Sequence, residues 1–208
     1  MDFDDLVAER EPPPNRRGKS LALLEHHLYE GAVMVAFALH LLRTTAADEV
    51  RIHPDGEHGK QFDFAGWLAR RGFSKASSMG TTSYGGRYVN PTTGHGITVN
   101  PTSGLGDVVA QAGNLLIVAE CKGGVINTRH PGQQSRLAKG LHETVGQLLS
   151  KPVGGRQVAV VPLTARTSVL AQRLAPRCSQ AGIEIALVGG RGEVIEVRPG
   201  EPLAPTGT

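Results

Sequence analysis

The chain has 208 residues, 39% of them hydrophobic and 20% charged, with a formal net charge of +3 and a pI near 9.1. That size supports one sizeable core, and the mild positive balance permits a polyanionic partner without demanding one. Aromatic residues at 4% exclude a surface that stacks many single-stranded bases, and two cysteines, Cys121 and Cys178, exclude a disulfide scaffold or a cysteine-rich zinc site.

In chain order, residues 1–19 read as a flexible tail, acidic at Asp2, Asp4 and Asp5, then Pro12-Pro13-Pro14 and Arg16-Arg17. Gly18-Lys19-Ser20 has the ending of a phosphate-binding loop, but Pro13 stands where that motif requires glycine. Ser20 is a plausible N-cap for a long helix through about Arg43, with apolar residues at Leu21, Leu24, Leu28, Val35, Leu39 and Leu42. This predicted helix carries Glu25, His26, His27, Glu30 and His40. The longest apolar stretch, 31–42, is interrupted by His40 and too short to span a bilayer, and no signal peptide opens the chain. A cytoplasmic protein with no membrane segment is therefore expected.

Asp55-Gly56 marks a turn before a second helix, about Lys60 to Arg71, with Gly72 as its C-terminal cap. A strand follows from Phe73, then a hairpin through Tyr84 to Tyr88 and Gly94 to Val99. Beyond residue 123 the pattern predicts a loop to Gly132, a helix from Gln133 to Ser150 and a strand from Gln157 to Pro162. A helix from Ser168 to Ala181 and strands at Ile183 to Val188 and Val194 to Val197 complete it. Such alternation implies an α/β fold, a mixed central sheet flanked by helices, in one domain over 20–198 with a second flexible tail at 199–208.

The chemistry lies between these blocks, in GLGDVVA at 104–110 and LLIVAECKGG at 115–124. Two β-prone runs joined by a turn at 111–114 predict a hairpin, which brings Asp107 near Glu120 although thirteen residues separate them. Side chains alternate along a strand, so Glu120 and Lys122 share a face while Cys121 points into the opposite one. Two carboxylates at one sheet edge make a hard oxygen site suited to Mg²⁺ or Mn²⁺, and an ammonium beside them can hold a phosphate or a water. Cys121, facing away, reads as a small core residue and not a nucleophile.

At these residues the chain resembles the PD-(D/E)xK nuclease superfamily, which includes type II restriction enzymes, Mrr-like nucleases and archaeal Holliday-junction resolvases. Gly106-Asp107 stands for the Pro-Asp of the name, and Glu120-Cys121-Lys122 for the E-x-K. The resemblance implies a restriction-endonuclease-like three-layer core and a Mg²⁺-dependent endonuclease acting on DNA. Asp107, Glu120 and the Cys121 carbonyl would hold the metal, and Lys122 would orient or deprotonate the attacking water. Many members add an acid from an early helix. Glu57, ahead of the predicted second helix, is the first choice, with Asp63, Glu25 and Glu30 as competitors; Gln61 lies where the resolvase acid would align. Gln147 matches a glutamine that faces the metal site in some members, although the tyrosine that follows it there is Lys151 here.

Adjacent His26 and His27 splay by roughly 100° on a helix, and after His142-Glu143 the second histidine of a zinc protease is replaced by Gly146, so zinc is not expected. Basic residues at Arg70, Arg71, Lys75, Arg87, Arg129, His130, Arg136 and Lys139 offer phosphate contacts, as does the hydroxyl- and glycine-rich stretch from Ser77 to Gly86. The extra segments beyond the resolvase-like part favour restriction or phage defence over junction resolution or DNA repair. Cleaving both strands would need two sites, so a homodimer or a partner subunit is expected. A non-catalytic nucleic-acid-binding subunit and a nuclease acting on RNA are the other readings.

Overall fold

The computed structural model describes residues 3–15, 24–56, 58–152 and 154–203. These form twelve strands and five helices. Three strands, β1 (Val7–Arg10), β2 (Glu25–Leu28) and β9 (Gly124–Val125), make a small sheet in the order β1-β2-β9. The other nine make the central mixed sheet. They are β3 (Glu49–Ile52), β4 (Ser74–Ser78), β5 (Gly86–Val89), β6 (Gly96–Val99), β7 (Val108–Ala112), β8 (Leu115–Cys121), β10 (Arg156–Pro162), β11 (Ile183–Val188) and β12 (Val194–Val197). Their order is β12-β11-β10-β8-β7-β3-β6-β5-β4.

Strand β10 runs parallel to both β8 and β11. Parallel neighbours need crossover connections, and helices α4 (Pro131–Leu149) and α5 (Ala165–Gln180) supply them. Both helices start on local chemistry. The His130 ring accepts from the Gly132 N–H ahead of Pro131, and Thr164 and Thr167 form a reciprocal capping box.

Alternate residues of the sheet divide between two cores. Ile117, Ala119, Cys121, Val158, Val160, Ala186 and Val188 pack with α1 (Glu30–Thr44), whereas Ala159, Val161, Ile185 and Leu187 pack with α4 and α5. The sheet is therefore sandwiched between helices. Apart from His40, every residue of α1 from Glu30 to Leu42 is buried, as an all-apolar sequence such as AVMVAFAL requires.

The N-terminal third departs from the sequence expectation. The Ser20 cap and the helical turns before residue 24 lie outside the described residues, and 25–28, expected to be helical, form β2, paired with Val7–Arg10 on one side and Gly124–Val125 on the other. Helix α1 begins only at Glu30. Nor are residues 3–15 a loose tail: Phe3 and Leu6 are each 1% exposed, and the Phe3 ring meets Trp67 edge-on at 5.2 Å. Among the later residues, Leu203 packs against the α4–α5 core.

The predicted second helix divides into α2 (His58–Gln61) and α3 (Phe64–Ala69), because the Asp63 carboxylate caps the latter by accepting from the Gly66 N–H at 2.9 Å. Its end is as expected: the Gly72 N–H donates to Ala69 and the Phe73 N–H to Leu68, the paired closure of a glycine-capped helix. No helix among the described residues is long and apolar enough to cross a membrane.

Candidate active site

Strands β7 and β8 pair antiparallel with Val108 opposite Ala119. One step further along that register sets Asp107 opposite Glu120, and the Asp107 Oδ2 accepts the Cys121 N–H at 2.7 Å. Asp107 thus closes the hairpin through its side chain while its carbonyl accepts the His53 N–H at 2.8 Å. Because Ala119 and Cys121 belong to the core under α1, Glu120 and Lys122 project from the other face, toward α4. There a Cβ on Gly140 would lie 3.3 Å from the Lys122 Cβ.

Among the described residues, the helix acid that joins this group is Glu30. Its Oε2 is 3.1 Å from the Lys122 Nζ, and it is only 7% exposed. Glu30 gets there because Gly123, just after Lys122, lets residues 28–30 cross the end of β8. A Cβ on Gly123 would lie 2.5 Å from both the Glu30 N and the Leu28 carbonyl oxygen, so any side chain would push that crossing away. The small sheet secures the arrangement, since Leu28 pairs with Gly124 and His27 with Val125.

Electrostatics set this cluster apart. Burial, then the negative charges of Glu120 and Glu30, push the Asp107 carboxyl up to about 7 against the opposing pull of the Cys121 N–H and Lys122. The Lys122 ammonium would be lowered by burial, but the Glu30 charge and hydrogen bond, with Asp107, hold it above its ordinary value. In the absence of metal, Lys122 is therefore held as an ammonium beside Glu30. Burial, reinforced by the surrounding acids, keeps the Cys121 thiol well above its usual range, consistent with a core role.

A cleft of about 490 Å³ opens beside Lys122 and Glu30; its walls include His27, Gln61, Gln133, Arg136 and Lys139. The glutamine of α4 in this cleft is Gln133, buried at 7%; Gln147 is exposed on the helix and does not line it. Glu57 lies outside the described residues. Asp63 is spent as the α3 cap, and Glu25 is buried on β2 with its Oε2 at 3.3 Å from the His27 Nε2.

Of the expected basic residues, Arg70 and Arg71 pair with Asp5, Arg87 pairs with Glu49, and the Lys75 Nζ donates to the Ser83 carbonyl. Arg136 and Lys139 are the ones that reach the cleft. Sequence reasoning assigned no role to Lys151, whose Nζ lies 2.8 Å from the Glu120 Oε1. It follows the end of α4, and only the fold-back of the chain after that helix puts it beside β8.

Asp107 and Glu120 offer two hard oxygen donors of the kind Mg²⁺ or Mn²⁺ takes. As they stand, no group of three or more His, Cys, Asp or Glu among the described residues is arranged to hold a metal ion. Comparisons with protein-family models, with curated proteins and with solved structures found no match.

Proposed function

We propose that this chain is a metal-dependent endodeoxyribonuclease of the PD-(D/E)xK type, built on a restriction-endonuclease-like core. The observation that carries this reading is the convergence of Glu30, Asp107, Glu120 and Lys122, from one helix and two strands, at one end of the β7–β8 hairpin. Unrelated surface charges rarely gather around a half-buried acid raised by desolvation and then by like-charged neighbours.

When bound by Asp107, Glu120 and the Cys121 carbonyl, Mg²⁺ or Mn²⁺ supplies Lewis acidity toward a phosphodiester oxygen and acidifies water. The chain's own groups do the positioning. The Cys121 N–H fixes the Asp107 carboxylate, and Glu30 holds the Lys122 ammonium over the cleft. Lys122 would orient or deprotonate the attacking water and steady the developing charge on the phosphate. In-line attack would expel the 3′ oxygen, which takes a proton from solvent, and leave a 5′ phosphate, as the resemblance implies. Arg136 and Lys139 on the cleft wall are suited to neighbouring backbone phosphates. The expected setting is restriction or phage defence in the cytoplasm, as a homodimer or with a partner subunit when both strands are cut.

The test is incubation of purified protein with supercoiled plasmid, linear duplex, single-stranded DNA, four-way junctions and RNA, with Mg²⁺ or Mn²⁺. Preference among substrates separates a defence nuclease from a resolvase or an RNA nuclease. A second reading, a non-catalytic nucleic-acid-binding subunit, is favoured by one feature: Glu30 and Glu120 each already face a lysine, Lys122 and Lys151. Divalent-metal titration separates the two, since the enzyme binds metal through Asp107 and Glu120 and the scaffold does not.

A further inference from the structure

Lys151 and Lys122 pair with different acids of the cluster and line different clefts. The Lys151 backbone N–H donates to the Leu148 carbonyl at 3.0 Å, just after α4 ends, which anchors the stem of the side chain. From there the ammonium reaches the Glu120 Oε1 at 2.8 Å, with the Glu120 side chain 7% exposed and that of Lys151 25% exposed. The pair is thus asymmetric: the acid is fixed in the β8 strand, whereas the lysine is anchored only at its stem and has one side open. That open side gives onto a second cleft, of about 520 Å³, with walls that include Leu105, Leu116, Val118 and Gln157.

We infer that Lys151 is an internal counter-ion that competes with the divalent cation for Glu120 and is drawn off by substrate phosphate, so that metal loading and nucleic-acid binding favour each other. The inference rests on the nuclease reading of Glu120. An ammonium at 2.8 Å and a divalent cation cannot both hold the Glu120 carboxylate at full strength. A lysine is suited to such an exchange, because its ammonium is a compact charge on a flexible stem that pairs as readily with a phosphate as with a carboxylate. A substrate phosphodiester within reach of the exposed side of Lys151 would give it an alternative partner and free Glu120. Linkage makes the effect reciprocal: whatever factor substrate adds to metal affinity, metal adds to substrate affinity.

The experiment titrates Mn²⁺ into wild type, Lys151→Met, Lys151→Arg and Glu120→Gln, following free Mn²⁺ by its paramagnetic resonance. Each titration is run with and without a short phosphorothioate duplex that resists cleavage. In wild type the duplex should tighten Mn²⁺ binding roughly three- to tenfold, the size expected when one partly exposed ion pair is exchanged. Lys151→Met should bind Mn²⁺ that much more tightly without DNA and lose the DNA effect, whereas Lys151→Arg should behave like wild type. Unchanged Mn²⁺ affinity in Lys151→Met, or a DNA effect of full size in that variant, overturns the role of Lys151 while leaving the metal site standing. Wild type that binds no Mn²⁺, or binds it as well as Glu120→Gln does, overturns the nuclease reading together with this one. Melting temperatures of all four proteins identify any variant that has failed to fold.

Discussion

Two charged clusters sit on the same sheet and behave in opposite ways. At the β11–β12 edge, Glu196 accepts from Arg156 at 2.8 Å and meets the His40 ring at 3.0 Å, while Arg156 also bridges to Glu184 at 2.7 Å. Although burial acts to raise the Glu196 carboxyl, its hydrogen bonds to His40 and Arg156 hold it below the ordinary value. At the end of β7 and β8, burial and then the charges of Glu120 and Glu30 push Asp107 up to about 7. The first cluster holds its acid ionised, whereas the second resists the ionisation of Asp107; groups perturbed in that way cluster at functional sites.

The largest effect that can separate these regions is on cleavage. Lys122→Ala and Asp107→Ala should each lower metal-dependent nicking by roughly 10³-fold or more, whereas Arg156→Met should leave the rate per folded molecule unchanged. Next comes Gly123→Ala, whose added methyl forces apart the β8 end and the 28–30 crossing. It should cost about 2–3 kcal/mol in denaturant unfolding and should also lower activity by displacing Glu30.

Arg156→Met should cost about 1–2 kcal/mol near neutral pH, because it leaves Glu196 and Glu184 without their shared cation. A carboxyl held low in the folded state contributes stability above its unfolded value, and that contribution fades as pH falls through the lowered one. The gap between wild type and Arg156→Met should therefore be widest at pH 7 and close in acid, below the unfolded value of 4.5. The last effect has the reverse sign. A raised acid makes the folded state bind its proton more tightly, so the cost of ionising Asp107 accrues between 3.8 and about 7 and is complete above that. Metal-free Asp107→Asn should then be more stable than wild type at pH 8, with little difference at pH 4. A loss of stability at pH 8 would break the contrast between the two clusters.

The sheet around the hairpin was readable because its signals are local. The apolar run before Glu120, the turn after Ala110 and the helix-strand alternation beyond residue 131 each act within a few residues. Asp107, Glu120 and Lys122 came with that reading. What the sequence hid depends on distant partners. Leu21, Leu24 and Leu28 suit a helix face, yet 25–28 become a strand because β1 and β9 pair with them, the latter about a hundred residues away. That change starts α1 at Glu30 and brings Glu30 to Lys122, whereas Asp63 caps α3. Gln147 matched an expected position on the right helix, but the turn of α4 that faces the cleft carries Gln133. Lys151 had no local signature, since its only tie to the site is the return of the chain beside β8.

The most direct measurement is nicking of supercoiled plasmid by the purified chain, with Mg²⁺ or with chelator, alongside Asp107→Asn and Glu120→Gln proteins shown by melting to be folded. Wild type should show Mg²⁺-dependent conversion to open circles and neither variant should show any; equal conversion by wild type and variants, or no Mg²⁺-dependent conversion of any nucleic acid by wild type, would rule out the metal-nuclease assignment.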